Sequence, residues 1–121
     1  ALMEYYEALL LYKYVKTGKL EIAVDLPRED YVAFLLGLAD VVGEFRRELV
    51  QSLLEDDIEK AEEFYSRIEE IYSELFRFSF PDALTPGLRR KVDRIRYILE
   101  SSQNDILYAR KTRELLKALN K

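Results

Sequence analysis

The stretch "PREDYVAFLLGLADVVGEFRRELVQSLL", residues 27–54, decides how the chain is read. On a helical wheel of about 100° per residue, Phe34, Leu38, Val42, Phe45 and Leu49 fall on one face. Asp40 and Glu44 fall on the other, i,i+4 neighbours about 40° apart, with Ala33, Leu36, Arg47 and Gln51 in their sector. Pro27 suits a first helical turn, where an N–H would have no partner anyway. A helix with so continuous an apolar face has to bury it against other elements. Gly37 and Gly43 flank the acidic sector, and each costs about 1 kcal/mol in a helix interior relative to Ala. The use that offsets such a cost is close approach of another backbone.

Upstream, "MEYYEALLLYKYVK", residues 3–16, predicts a first helix ending at Gly18, a good terminator. Glu4 and Glu7 share a face with Ala8, Leu11 and Val15, while Lys13 and Lys16 point away. Two carboxylates thus lie on a side expected to be buried. "LEIAVDL", 20–26, alternates like a strand, but no partner strand exists and a lone strand is unstable. It is read as an extended connector pressed on the core.

Downstream, Asp56 with Glu59 resembles a capping box for a third helix over about 57–78. Its stripe is Ile58, Ala61, Tyr65, Ile68, Tyr72, Leu75 and Phe76. Thr85 is the expected N-cap, and Pro86 the first residue, of a last helix running to Leu119. Val92, Ile95, Leu99, Ser102, Ile106 and Ala109 form its stripe, which either packs on sibling helices or in part meets a partner chain. The expectation is one all-α domain over residues 1–121, an antiparallel helical bundle.

Composition narrows the chemistry. The 121 residues contain no cysteine and no histidine, which excludes disulfides, thiolate nucleophiles, imidazole bases and the usual zinc ligands. No apolar run is long enough to span a bilayer, so a soluble, cytoplasmic protein is expected. A net charge of −4 argues against simple electrostatic wrapping of nucleic acid, although "GLRRKVDRIRY", 87–97, is a local basic run able to hold phosphates. The opening "ALMEYY" has no capping residue ahead of its helical pattern, so an upstream portion is expected.

If the acidic faces of the first two helices meet, Glu4, Glu7, Asp40 and Glu44 converge. Packed carboxylates raise one another's pKa and need compensation. A divalent cation is the simplest, and all-oxygen ligands favour Mg²⁺ or Mn²⁺. Against this stand the plainer readings: Asp40 and Glu44 on a solvated face, and Glu4 and Glu7 bridged to lysine or arginine or wetted at a fraying helix end.

"EYYEA" (4–8) and "DYVAFLLGLADVVGEFRRELVQS" (30–52), followed by an acidic turn and a further helix, resemble the translin superfamily, most closely its TRAX (translin-associated factor X) branch. "LRRKVDRIRYILESSQNDILYA" (88–109) is similar to the family's long penultimate helix. The resemblance implies an all-α fold that assembles into hollow octameric shells, here the self-assembled shell of an archaeal or other prokaryotic-type homologue. It implies a Mg²⁺-dependent endoribonuclease (Mn²⁺ being the substitute) acting on single-stranded or duplex RNA enclosed in the shell. Glu4, Glu7 and Asp40 match the family's metal-holding acids, Glu44 a further ligand or water-positioning base, and Arg46 and Arg47 are placed to steady the phosphate. Family members carry additional N-terminal helices that this chain lacks. The alternative is a non-catalytic, translin-like subunit that binds RNA or single-stranded nucleic acid, or serves assembly.

Overall fold

The apolar face of residues 27–54 is too wide for one neighbour to cover, and this helix becomes the central rod of the structure. The computed structural model describes residues 2–20, 26–78 and 86–120. Among them lie α1 (Leu2–Thr17), α2 (Tyr31–Leu54), α3 (Ile58–Phe78) and α4 (Pro86–Leu119), with a 3-10 turn at Arg28–Asp30 and no strand. The chain is all-α, as its periodicity requires. Helix α2 packs on each of the other three helices, and α4 also packs on α3. Phe34, Leu38, Val42, Phe45 and Leu49 are buried together with Leu35 and Val41.

A tight turn joins α2 to α3. Asp56 adopts the left-handed conformation (φ 61°), its N–H bonds to Leu53 O at 3.1 Å, and the Asp57 N–H bonds to Ser52 O at 2.8 Å. These two bonds make a Schellman termination, with Asp standing where Gly is usual. The expected capping role of Asp56 therefore passes to Asp57, whose Oδ1 accepts from the Lys60 N–H at 3.1 Å. Helix α3 buries Ile58, Ala61, Phe64, Ile68, Ile71 and Leu75. Phe64 and Ile71 join the expected stripe, and Phe76 leaves it for solvent.

Helix α4 runs antiparallel to α3. Arg110 bonds to Glu62, and Arg113 to Glu59 at 3.0 Å, so its far end lies beside the start of α3. Leu88, Val92, Ile95, Ser102 and Ile106 face the core, so the predicted stripe packs on siblings over this length. The Thr85 cap lies outside the described residues.

Helix α1 runs alongside α2 in the same direction, because the Tyr6 ring meets Phe34 at 5.6 Å and the Tyr14 ring meets Phe45 at 4.8 Å between centroids. The chain from Gly18 to Asp30 must return the full length of α1, which about a dozen residues can span. Leu20 and Leu26 pack against the core; the rest of the predicted connector lies outside the described residues. The buried stripe of α1 is Tyr6 and Leu10, supported by Tyr14. Ala8 is exposed and Val15 is 84% exposed, so the expected face is rotated. α1 is apolar nearly all round, so ring packing, not a polar–apolar boundary, selects its inward face.

Gly37 is the position where α1 and α2 come closest. A Cβ built there would lie 2.8 Å from Met3 O and 2.9 Å from Glu7 N, both backbone atoms. The same construction at Gly43 meets nothing within 4 Å, so only the first glycine serves close approach. Substituting Gly37→Ala is expected to destabilise by about 1 kcal/mol or more, since overpacking against rigid backbone outweighs the propensity gain. Gly43→Ala should instead stabilise by about 0.5–1 kcal/mol. Urea unfolding followed by circular dichroism measures both, and equal shifts would contradict the assignment.

Candidate functional site

The contact at Gly37 determines which acids meet. Glu7 supplies one of the backbone atoms resting on Gly37, and Asp40 and Glu44 follow one and two turns along the same edge of α2. Relative to Leu10, which is buried, Glu7 lies about 60° round α1 and Glu4 about 120°. Accordingly Glu7 is half-buried, like Asp40 and Glu44, while Glu4 is exposed. The Glu7 carboxyl is held above its ordinary value of 4.5, first by burial, then by the Asp40 and Glu44 charges, with Lys91 acting in the opposite sense. Three acids from two helices therefore share one electrostatic field.

Their present partners are cations. The Lys91 ammonium, from the first turns of α4, donates to Asp40 Oδ1 at 2.5 Å and makes a weak contact to Met3 Sδ at 3.9 Å. It therefore sits where α1, α2 and α4 meet. Glu44 Oε2 accepts from Arg47 at 3.3 Å. As the side chains stand, no three acidic groups among the described residues are close enough to enclose an ion. The donor set nonetheless suits a hard cation: carboxylate oxygens only, drawn from two helices, with an ammonium on Asp40 in the place such a cation would take. Glu7 and Asp40 would be available to hold a divalent ion only once Lys91 releases Asp40. The Lys91–Asp40 pairing joins residues 51 positions apart, and no periodicity in the sequence announces it.

The two arginines part company. Arg47 lies about 20° from Asp40 on the α2 wheel and is exposed on the acidic face. Arg46 lies about 120° away and reaches α4, donating to Ser102 Oγ at 2.9 Å, Ser101 Oγ at 3.3 Å and Asp105 Oδ2 at 2.8 Å. It satisfies the fully buried Ser102 and clamps two helices, so its place beside the acids is corrected. Elsewhere Tyr6 donates to Asp30 Oδ2 at 2.6 Å, a bond that pushes its pKa up to about 12 and fastens the start of α2 to α1.

Comparison with solved structures gives one answer. The crystal structure of AfC3PO superposes with a TM-score of 0.80 and 37% identity, over 93% of this chain and 58% of that one. The fold is the all-α translin/C3PO fold. AfC3PO has also been solved as a complex with duplex RNA, which matches the chain with a TM-score of 0.78 and 36% identity over the same shares of the two chains. A third C3PO structure, apo-NeC3PO, matches with a TM-score of 0.73 and 28% identity over 89% of this chain and 56% of its own. In sequence, an uncharacterized protein of Methanocaldococcus jannaschii is 35% identical over 104 residues, which is 86% of this chain and 46% of that protein. The chain thus spans about half the length of the relatives it matches. No family model matches it. Among the described residues no helix is long and apolar enough to cross a membrane.

Two measurements check the electrostatics. Because the folded state holds Glu7 above its ordinary pKa, the native protein binds that proton more tightly than the unfolded chain. The associated stability is fully present below the ordinary value of 4.5 and is lost as pH rises through the raised value of the folded protein. In metal-free buffer, Glu7→Gln should therefore raise Tm at about pH 7 and leave it unchanged at about pH 3; the same Tm difference at both pH values contradicts this. Arg46→Ala should destabilise by about 1–3 kcal/mol, having stranded buried Ser102 and the α4 acid, whereas Arg47→Ala should stay within about 0.5 kcal/mol. Denaturant midpoints separate the two.

Proposed function

We propose that the chain is a subunit of a Mg²⁺-dependent endoribonuclease of TRAX type, acting on RNA phosphodiesters. The observation that carries this reading is the backbone contact of α1 and α2 at Gly37, which sets half-buried Glu7 beside the edge of α2 that carries Asp40 and Glu44. Like charges so placed are costly unless a cation balances them, and Lys91 and Arg47 supply that balance in this structure. The match to AfC3PO, a protein solved with duplex RNA, supports RNA as the substrate class. In this reading copies of the chain form an octameric shell in the cytoplasm, as a prokaryotic-type homologue. The similarity to the Methanocaldococcus jannaschii protein supports the last point.

Glu4, Glu7, Asp40 and Glu44 would hold the Mg²⁺, with Mn²⁺ as a substitute. When bound, the ion supplies Lewis-acid charge at the phosphodiester oxygens. The chain's own groups do the rest. Glu44 positions the attacking water and accepts its proton, a carboxylate base in a chain without histidine. Lys91, released from Asp40, provides a mobile positive charge for the phosphate, and Arg47 a second one from α2. Half-burial of Glu7 keeps part of the site away from bulk water, which strengthens each of these interactions.

The second reading, a non-catalytic subunit that binds RNA or serves assembly, has its own observation. Asp40 and Glu44 already have cationic partners in Lys91 and Arg47, so the acids can be ion-pair members and nothing more. Asp40→Asn distinguishes the two. With Mg²⁺ and a labelled RNA, the substitution should lower the cleavage rate at least about 100-fold while RNA retention in chelator stays within twofold. Equal cleavage rates in parent and variant would remove the enzyme reading, and retention without cleavage by either protein would establish the binding one.

A further inference from the structure

The start of α4 carries a run of positive charge, and two of its members, Arg90 and Arg94, serve neither the core nor the carboxylates. Positions 89–96 hold Arg89, Arg90, Lys91, Arg94 and Arg96 against one acid, Asp93, in a chain whose net charge is −4. Lys91 turns inward to Asp40. Arg90 and Arg94, i and i+4, turn outward and line a groove of about 520 Å³ with Asp93, Tyr97, Ile98 and Ser101, bordered by Arg46, so three guanidinium groups face one carboxylate there. Like charges at this spacing repel, and cations in the first turns of a helix also oppose its dipole. Yet both side chains are exposed and neither makes an ion pair or hydrogen bond among the described residues. The Arg46 guanidinium at the border is committed to Ser101, Ser102 and Asp105, so the groove keeps a rigid edge. Tyr97, 76% exposed, presents its ring beside these guanidinium groups.

We infer that this groove of α4 is a docking site for a single-stranded segment of RNA, with Arg90 and Arg94 on successive phosphates and Tyr97 stacked on an unpaired base. The identity of the ligand rests on the RNA reading above; the groove deepens it by naming where the strand is held. Charge complementarity argues for a polyanion. The spacing of about 6 Å between i,i+4 residues is comparable to that between neighbouring phosphates on one strand. An exposed aromatic ring beside paired cations is the arrangement that grips single strands without reading sequence. A duplex keeps its bases stacked internally and has no use for Tyr97.

The test uses the intact protein in chelator, so that cleavage plays no part. Binding of a fluorescein-labelled single-stranded oligoribonucleotide is followed by anisotropy across a salt series. Arg90→Ala/Arg94→Ala should weaken binding about tenfold or more and reduce the slope of log K against log salt by about 1.4, the contribution of two phosphate contacts on a single strand. Tyr97→Ala should cost about tenfold with the slope unchanged, and Tyr97→Phe should bind as the parent does. Lys111→Ala, the same kind of charge change near the far end of α4, is the control and should leave the slope unaltered. Unchanged affinity and slope in the double arginine variant overturn the site, as does an unchanged affinity in Tyr97→Ala. A parent that binds no RNA overturns both the site and the RNA reading. Binding that survives while parent and Asp40→Asn cleave equally overturns only the nuclease reading.

Discussion

Everything about the acidic face depends on two backbones touching at Gly37. A helix is a stiff rod, so one contact without an intervening side chain sets both its distance and its rotation. Met3 O and Glu7 N rest against Gly37, and the Tyr6–Phe34 and Tyr14–Phe45 ring contacts keep α1 aligned along α2. Once that alignment exists, Glu7 has nowhere to go but the edge of α2 that carries Asp40 and Glu44. The acid cluster follows from a steric fact about one glycine.

Such a cluster has to be balanced, by Lys91 of α4 on Asp40 and Arg47 of α2 on Glu44, and other charged pairs of α4 tie the helices together. Lys91 reaches inward to Asp40. Farther along, Ser102 and Asp105 receive Arg46 from α2, and Arg110 and Arg113 hold the start of α3. Each of these interactions has a half-buried or geometrically fixed partner, which is why they position helices where loose surface pairs do not. Arg90 and Arg94 stand outside this pattern. Among the described residues they make no ion pair or hydrogen bond, so they carry exposed positive charge outside the pairs that join the helices. On the acidic face, burial and two neighbouring carboxylates raise the Glu7 pKa while Lys91 acts in the opposite sense.

Much of this was legible beforehand, and particular residues show where legibility stopped. The core face of α2 and the i,i+4 acids were readable because α2 has a sharp boundary between apolar and charged sectors. α1 has no such boundary, so Ala8 and Val15 were expected inside and are outside, and Glu4 was placed deeper than it lies. Gly43 looked equivalent to Gly37, since a glycine's composition does not say whether a neighbour is present. Asp56 and Asp57 exchanged roles because a turn type depends on backbone angles that both residues tolerate. Arg46 and Arg47 are adjacent in the chain, yet a step of about 100° puts them on different surfaces.

The linear order of residues by itself determined the all-α class, the four helical segments, the exclusion of histidine and cysteine chemistry, and the location of the acidic and basic runs. These are local properties: period, capping, charge and composition act within a turn or two. Only the tertiary structure decided that Glu7 lies half-buried beside Asp40 and Glu44 while Glu4 is exposed, that Lys91 occupies Asp40, and that Arg46 belongs to a helix clamp. Those outcomes depend on how rods rotate against one another, which is set by sterics summed over distant positions and is written in no short stretch of the chain.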